Sequence, residues 1–341
     1  MKLYHPIIKN INKIKNIKLA NGSSLTSLHF SSREPENTSS FQGISTRSFG
    51  AYWITMPDNS KVIFKTYDAK TSQNLRRNRI VNEVLCYYLA RQVGMNCARY
   101  EPAHIGKKVG LISYNFLKQD ETLMSLHEFL KIDRDFSDNL YDTMDAIYLY
   151  TKEGYTIDRQ KVLEDLFSII VFDTITMQSD RHANNVNFIL NKNTGEIRVA
   201  PCFDNEFAFA IDVVTEMSRY NNEKCFQDIN TLRDHYSLKA QTFNIFNENS
   251  QSLKVFPHNV KNICALAKAN PYLESILNRT LENFNINEAI NVVEKIGYTI
   301  PEEYKTYLKY VCESNIEEIK KQLQCVEKDD IENMNDTINV R

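Results

Sequence analysis

The chain has 341 residues, of which 42% are hydrophobic, and a formal net charge of −2 at pH 7. This length suits one large domain with two lobes or two smaller domains. The near-neutral charge argues against direct nucleic-acid binding through a generally basic surface. The seven cysteines are scattered and form no Cys-x-x-Cys pair, which indicates reduced thiols in a reducing compartment and no zinc site.

The first twenty residues are basic, with five lysines and no acidic residue. Lysine and asparagine interrupt their isoleucines, so the stretch lacks the apolar core of a signal peptide. No later segment offers the roughly 18 uncharged apolar residues that a membrane span requires. We therefore expect a cytoplasmic protein with no membrane partner.

Residues 43–50 form a polar loop ahead of the first predicted strand. Its two glycines free backbone amides, and the hydroxyls of Ser45, Thr46 and Ser48 add donors, so the loop could bind phosphates. A polar surface loop explains the same residues equally well.

Two strand-like runs follow, at residues 50–56 and 61–66, with a turn signal at 57–60. They predict a hairpin whose second strand ends with Lys65. A lysine there could bind phosphates, or it could be an edge-strand charge that discourages aggregation.

Residues 79–93 have apolar residues at helical spacing, and Gly94 is a suitable C-terminal cap. Glu83 is flanked on its helix face by apolar residues three positions before and four after. Its carboxylate should therefore be partly buried and require a cation, for which Lys65 is the candidate. The alternative is an ordinary solvated glutamate.

The strongest predicted helix spans residues 159–177 and is apolar over much of its circumference, which indicates a buried helix. Asp165 and Asp173 on this helix require partners if they are buried. Because the helix leads directly to Asp180, the loop that follows should be held rigidly.

The loop at residues 179–185 has the sequence Ser-Asp-Arg-His-Ala-Asn-Asn. Asp180 is followed five residues later by Asn185, which is the spacing of the catalytic base and a magnesium ligand in protein kinases. Asp and Asn also commonly cap helices and form turns, so the spacing alone is a weak signal.

The residues after this loop strengthen the interpretation of Asp180 and Asn185 as site residues. Residues 186–190 and 196–200 alternate in polarity around a turn, which predicts an antiparallel hairpin. A hairpin returns the chain to its start, so Asp204 should come within reach of the cation that Asn185 binds. The pattern predicts a site for magnesium-bound ATP.

The remainder is mainly helical, with no internal repeat. Residues 243–253 are polar enough to be a mobile loop, and the acidic, asparagine-rich tail at 327–341 should fray. Helices are expected at 258–269, 272–284, 286–296 and 302–323, punctuated by prolines.

At this point the motifs resemble a known family. The Ser-Asp-Arg-His loop, the Ala-Pro-Cys-Phe-Asp run at residues 200–204, and the upstream Lys65 and Glu83 are similar to those of HipA-like serine/threonine kinases. The resemblance covers roughly residues 43–206. It implies an α+β, bilobal, protein kinase-like fold, with a strand-rich lobe at 1–117 and a mainly helical lobe at 118–341.

The resemblance also implies roles. Asp180 would be the catalytic base, Asn185 and Asp204 would bind magnesium, and Lys65, positioned by Glu83, would contact ATP. The strand at 111–116 would lead into the hinge between the lobes.

In that hinge, Tyr114 and Phe116 would lie beside the adenine. We place His182 near the nucleotide as well, although a core histidine that holds the loop by hydrogen bonds is the favoured interpretation. A serine of the phosphate loop, Ser45 or Ser48, would be a candidate for inhibitory autophosphorylation.

The expected activity is transfer of the ATP γ-phosphate, with Mg²⁺, to a serine or threonine of a protein, by a toxin or a delivered effector. HipA-like proteins are often bound by a small DNA-binding antitoxin, which is the partner that the resemblance implies. Two alternatives stay open. Phosphoinositide lipid kinases share a similar Asp-Arg-His loop, and an inactive kinase-like module could serve only to bind such a partner.

Overall fold

The computed structural model describes residues 29–31, 49–55, 61–67, 73–105, 108–126, 128, 154–211, 229–239, 245–246, 252–253, 260–298 and 300–325. Residues 43–48 of the predicted phosphate loop, the turn at 57–60 and the C-terminal tail at 327–341 lie outside these residues.

The N-terminal part is built on a five-stranded antiparallel sheet in the order β1-β2-β3-β5-β4. Its strands are β1 (His29–Ser31), β2 (Phe49–Thr55), β3 (Lys61–Tyr67), β4 (Tyr100–Ile105) and β5 (Lys108–Tyr114). The predicted hairpin is confirmed, since β2 pairs with β3 and Ala51 lies opposite Lys65. Lys65 lies inside β3 and not at its end, because the strand continues to Tyr67.

Helix α1 (Gln73–Gln92) begins earlier than predicted and ends at the expected glycine. Gly94 has a φ of +74°, a left-handed conformation that glycine adopts without steric cost and that commonly closes a helix. Val81, Val84, Leu85 and Leu89 of this helix are fully buried. The helix therefore belongs to the main core and offers a rigid base for Glu83.

A second sheet, in the order β6-β8-β9-β7, carries the predicted site hairpin. Its strands are β6 (Glu121–Ser125), β7 (Thr156–Ile157), β8 (Asn187–Asn191) and β9 (Glu196–Val199). The hairpin prediction is confirmed, because β8 and β9 pair antiparallel with Phe188 opposite Val199.

Helix α2 (Arg159–Thr176) is the buried helix that the sequence predicts. The Asp158 side chain accepts a hydrogen bond from the Lys161 amide at 3.0 Å and caps the start. Every residue from Ile169 to Thr176 is buried, which accounts for the nearly continuous apolar sequence. The helix ends where Met177 turns left-handed, at a φ of +47°, immediately before the 179–185 loop.

Five further helices complete the described chain: α3 (Ile229–Lys239), α4 (Val260–Ala269), α5 (Pro271–Asn283), α6 (Ile286–Lys295) and α7 (Glu302–Cys325). The last four match the predicted helices to within two residues. Helix α2 packs against α5 and α7, and α1 packs against α6, so the core continues from the N-terminal helix into the helical part.

Two features differ from expectation. The sequence did not predict helix α3. The segment at 243–253, which we expected to be a loop, contains a short antiparallel pair of strands, β10 (Ile245–Phe246) and β11 (Ser252–Leu253). Strands of two residues give too short an alternation to stand out in a sequence. Among the helices that the structure describes, none combines the length and apolar character needed to cross a bilayer.

Candidate active site

Lys65 lies at the centre of a buried ionic cluster between the first sheet, helix α1 and the loop after β9. Its Nζ atom lies 3.1 Å from Glu83 Oε1, 2.5 Å from Asp204 Oδ1 and 2.8 Å from Glu206 Oε2. The ammonium group donates hydrogen bonds to Glu83 and Asp204, and Glu206 adds an ion pair. The predicted pairing of Lys65 with Glu83 is confirmed.

Close backbone packing fixes the position of Lys65. Gly110 on β5 pairs with Thr66, and a Cβ atom at Gly110 would lie 2.2 Å from the Lys65 carbonyl oxygen. No side chain fits at that distance, so the neighbouring strand must have glycine here.

The Glu83 carboxylate is fully buried. Burial raises its pKa from 4.5 to about 7; Lys65 opposes this shift, while Asp204 and Glu206 add to it. Its second oxygen accepts a hydrogen bond from the Asn205 amide at 2.8 Å. Glu83 therefore holds both the lysine and the loop that carries Asp204.

The loop at residues 203–206 is anchored on both sides of Asp204. The Asp204 amide donates to Tyr100 Oη at 3.1 Å, and its carbonyl accepts from Gln178 Nε2 at 3.1 Å. Burial opposes ionisation of Asp204, but Lys65 and Arg181 outweigh it and lower the pKa of this carboxyl. Asp204 is consequently a fixed anion in the cluster.

Non-glycine residues with positive φ gather in this region. Within the described residues they are Met177, Asp204, Phe209 and Ala210, at φ values of 47°, 62°, 61° and 47°. The amides of Phe209 and Ala210 donate to the carbonyls of Thr176 and Met177 at 2.5 and 2.9 Å. Such strained backbone persists only where neighbouring contacts hold it, and it concentrates at functional sites.

Arg181 joins the two loops. It is fully buried, and its Nε and Nη2 atoms donate to the two Asp173 carboxylate oxygens at 2.9 and 3.2 Å. Its Nη1 atom donates to the carbonyls of Phe203, at 2.5 Å, and Asn185, at 3.4 Å. One nitrogen thus contacts the backbone at both ends of the hairpin, which brings Asn185 and the residue before Asp204 together.

Hydrogen bonds within and beside the 179–185 loop hold Asp180 and Asn185. Asn185 Nδ2 donates to the Asp180 carbonyl at 2.7 Å, and the Asp180 amide donates to Gln178 Oε1 at 3.1 Å. His182 Nε2 lies 3.9 Å from Asp180 Oδ1. The Asp180 side chain keeps 30% of its surface exposed, so a molecule from solvent can reach it.

A small apolar cluster, separate from the main core, lies beside the polar site. It consists of the buried Ile63, Leu123, Ile189 and Ala200, with Phe116, Leu117 and Phe203 packed against it. The rings of Phe116 and Phe203 stack with centroids 6.3 Å apart. Tyr114, which we expected near the nucleotide, donates from Oη to Glu101 Oε2 at 2.9 Å.

The structure also bears on other residues that the sequence analysis named. Ser45, Thr46 and Ser48 lie outside the described residues, so their roles stay predictions. Asp173 is buried and has the partner that it requires, whereas Asp165 pairs with Lys161 at 2.9 Å near the surface. In the described part of the chain, Cys86, Cys97, Cys202, Cys264 and Cys312 are free thiols.

Sequence reasoning missed Glu206 and the role of Arg181. Glu206 is 2% exposed and also approaches Arg79 Nη1 at 3.6 Å. The available signals were a second acid two positions after Asp204 and an arginine eight residues after Asp173, an acid that needed a cation.

Comparisons with known proteins identify the family and a similar fold. A family model described as the HipA-like C-terminal domain matches residues 39–265. The crystal structure of the Helicobacter pylori proinflammatory kinase CtkA is similar over 80% of this chain and 93% of its own, at 17% identity and a TM-score of 0.57.

The Shewanella oneidensis MR-1 HipA, from a complex of HipA, HipB and operator DNA, covers 78% of this chain and 61% of its own, at 14% identity and a TM-score of 0.45. No curated protein matches the chain. The likeness to CtkA confirms the predicted α+β, bilobal, kinase-like fold. Because the family model matches more than half of the chain, the protein belongs to the HipA-like kinase family.

Proposed function

We propose that this protein is an ATP- and magnesium-dependent serine/threonine kinase that transfers the γ-phosphate of ATP to a protein hydroxyl. One observation carries the proposal: Lys65 Nζ contacts both Glu83 and Asp204, at 3.1 and 2.5 Å. A lysine held by a helix glutamate next to a metal-binding aspartate is the arrangement that protein kinases use for phosphoryl transfer.

The donor set suits magnesium. Asn185 commits its amide nitrogen to the Asp180 carbonyl, which leaves Oδ1 for a cation, and Asp204 offers a carboxylate with a lowered pKa. Magnesium prefers such hard oxygen ligands and binds through few protein groups plus phosphates. Glu83, Asp204 and Glu206 also bring oxygens within 4.8 Å of one another, but Lys65 contacts all three. Asp204 is the one of these three with an appreciably exposed side chain, so we assign the metal to Asp204 together with Asn185.

Lys65 neutralises phosphate charge in this proposal. Its two most buried partners, Glu83 and Glu206, are 0% and 3% exposed, whereas Asp204 is 29% exposed. Asp204 would share its charge with a bound magnesium ion, and Lys65 could then direct the donor that faces Asp204 to a phosphate oxygen. Glu83 keeps the lysine in place during this exchange.

Asp180 orients the acceptor hydroxyl and takes its proton. The residue follows the rigid helix α2 and is partly exposed, as a group that contacts a substrate must be. Bound magnesium supplies the charge that stabilises the transferring phosphoryl group. A serine or threonine of a protein is the acceptor that the family resemblance favours.

The adenine would lie against the apolar cluster beside the hinge strand, with Phe116 at its edge and the backbone at 111–116 supplying hydrogen bonds. We propose that the lobes meet near residue 117, between β5 in the first sheet and β6 in the second. The nucleotide would then bridge the two sheets.

Labelled ATP tests the proposal. Asp180→Asn and Asp204→Asn should each reduce phosphate transfer to a cell lysate by at least about 1000-fold, because they remove the base and a metal ligand. Asp165→Asn is the matched control, since Asp165 pairs with Lys161 on the outer side of α2; it should transfer phosphate normally. Wild-type rates from either site variant would refute the assignment, and the labelled lysate protein would identify the acceptor.

A further inference from the structure

Arg181 stands out as the largest fully buried side chain among the described residues. It forms a two-pronged ion pair with Asp173, which is also fully buried on helix α2. Burying two charges is costly, and the attraction of a buried pair often only offsets that cost. Stability alone therefore gives a weak reason for an arginine at this position.

The remaining donors of Arg181 all point at the two loops that carry the proposed metal ligands. They reach the Phe203 carbonyl at 2.5 Å, Asn205 Oδ1 at 2.5 Å and the Asn185 carbonyl at 3.4 Å. Phe203 and Asn205 are the neighbours of Asp204 on either side. One rigid group thus fixes the backbone of Asn185 and brackets Asp204.

The geometry of the guanidinium explains this choice of residue. Its five N–H donors lie in one plane with fixed directions, whereas a lysine ammonium is a compact group on a flexible stem. All five donors are engaged here. An apolar side chain could fill the volume, but it could not set the distance between two loops.

We propose that Arg181 is a positioning residue that fixes the separation of Asn185 and Asp204, so that metal affinity depends on it while nucleotide binding without metal does not. This inference rests on the proposed function. Partners that orient metal ligands typically contribute about 10- to 100-fold to metal affinity. Lys65, which would bind the phosphates, shares none of the hydrogen bonds of Arg181 described above, and Arg181 reaches the apolar cluster only at the backbone carbonyl of Phe203.

The test measures binding and not activity. A fluorescent ATP analogue is titrated with the purified full-length protein in EDTA, and then with increasing Mg²⁺, for the wild type and Arg181→Lys. We expect Arg181→Lys to bind the analogue in EDTA within about twofold of the wild type, and to need about tenfold more Mg²⁺ for the metal-dependent increase.

Two further variants protect the test. If Arg181→Lys does not unfold cooperatively, the Asn205→Ala variant is used in its place. This change removes the acceptor that Asn205 offers to Arg181 and keeps the ion pair between Arg181 and Asp173. The Asn205→Ala variant should need about threefold more Mg²⁺ than the wild type. Arg198→Lys is the control. Arg198 lies on β9 of the same hairpin and pairs with Glu121 at 2.8 Å, so its substitution should leave the Mg²⁺ requirement unchanged.

The possible results distinguish the positioning role of Arg181 from the proposed function. An unchanged Mg²⁺ requirement in the Arg181 or Asn205 variant would overturn the positioning role alone. Equal losses in EDTA and in Mg²⁺ would also overturn it, because they would mean general damage to the fold. A wild type whose nucleotide binding ignores Mg²⁺ would overturn the proposed function together with this inference.

Discussion

Replacing Glu83 with glutamine should stabilise the folded protein at neutral pH while impairing its proposed activity. Glu83 is fully buried beside Lys65, with Asp204 and Glu206 on the same ammonium group. Three carboxylates around one lysine leave excess negative charge in a buried region. A neutral side chain of the same shape at position 83 relieves that charge.

The size of the effect follows from the ionisation of this carboxyl. Its pKa rises from 4.5 to about 7 in the folded protein, chiefly through burial. Each tenfold change in an ionisation constant corresponds to about 1.4 kcal/mol, so ionising Glu83 costs about 3 kcal/mol of folding free energy. Between pH 4.5 and 7 the unfolded chain has released this proton and the folded chain retains it, so wild-type stability falls as the pH rises through that window.

Urea unfolding at pH 4.5 and pH 8 provides the assay. Glu83→Gln and the wild type should have nearly equal free energies of unfolding at pH 4.5, and the variant should be more stable by up to about 3 kcal/mol at pH 8. Glu121→Gln is the control, because it removes a buried partner of Arg198 and should reduce stability at pH 8. A Glu83→Gln protein that is less stable than the wild type at pH 8 would refute the reasoning, since the ion pair with Lys65 would then outweigh burial.

Two further predictions concern packing and capping. Gly110→Ala should destabilise the fold by more than about 2 kcal/mol and weaken nucleotide binding, because the new Cβ atom would lie 2.2 Å from the Lys65 carbonyl oxygen. Urea unfolding measures the stability, and titration with nucleotide measures the binding. Unaltered nucleotide binding would contradict the close approach of the two strands. Asn270→Ala should cost about 1 kcal/mol, because the Asn270 side chain caps helix α5 by accepting from the Tyr272 amide at 3.0 Å. Phosphate transfer should remain normal in this variant, and a large loss of transfer would show that α5 matters for more than stability.

The parts of the site that could be predicted are those with local sequence signals. Alternating polarity and a turn predicted the β8–β9 hairpin, and the hairpin in turn predicted that Asp204 returns towards Asn185. Helical spacing around Glu83 predicted a buried carboxylate in need of a cation. In each case the signal lies within about 20 residues of chain, where the periods of strands and helices and the turn between strands are informative.

The parts that escaped prediction depend on three-dimensional packing. Arg181 occurs in the same loop motif as Asp180, and its position eight residues after Asp173 does not by itself indicate that its side chain turns inwards. Glu206 contacts Lys65 across 141 positions of the chain, and no spacing rule covers such a distance. Helix α3 has weak amphipathic character and no acidic residue in its first turn, so its start carries few of the usual signals.

Because all hydrogen-bond donors of Arg181 are engaged, this residue also limits how phosphorylation could activate the protein. In many protein kinases a phosphorylated loop becomes ordered by binding to an arginine. Here the guanidinium is fully buried and all five of its donors are engaged. A phosphate could recruit this arginine only by displacing Asp173 or the oxygens of Asn185, Phe203 and Asn205, and either change would leave buried acceptors unpaired. Arg181 therefore connects helix α2 and the two loops inside the protein, and it is unsuited to bind a regulatory phosphate.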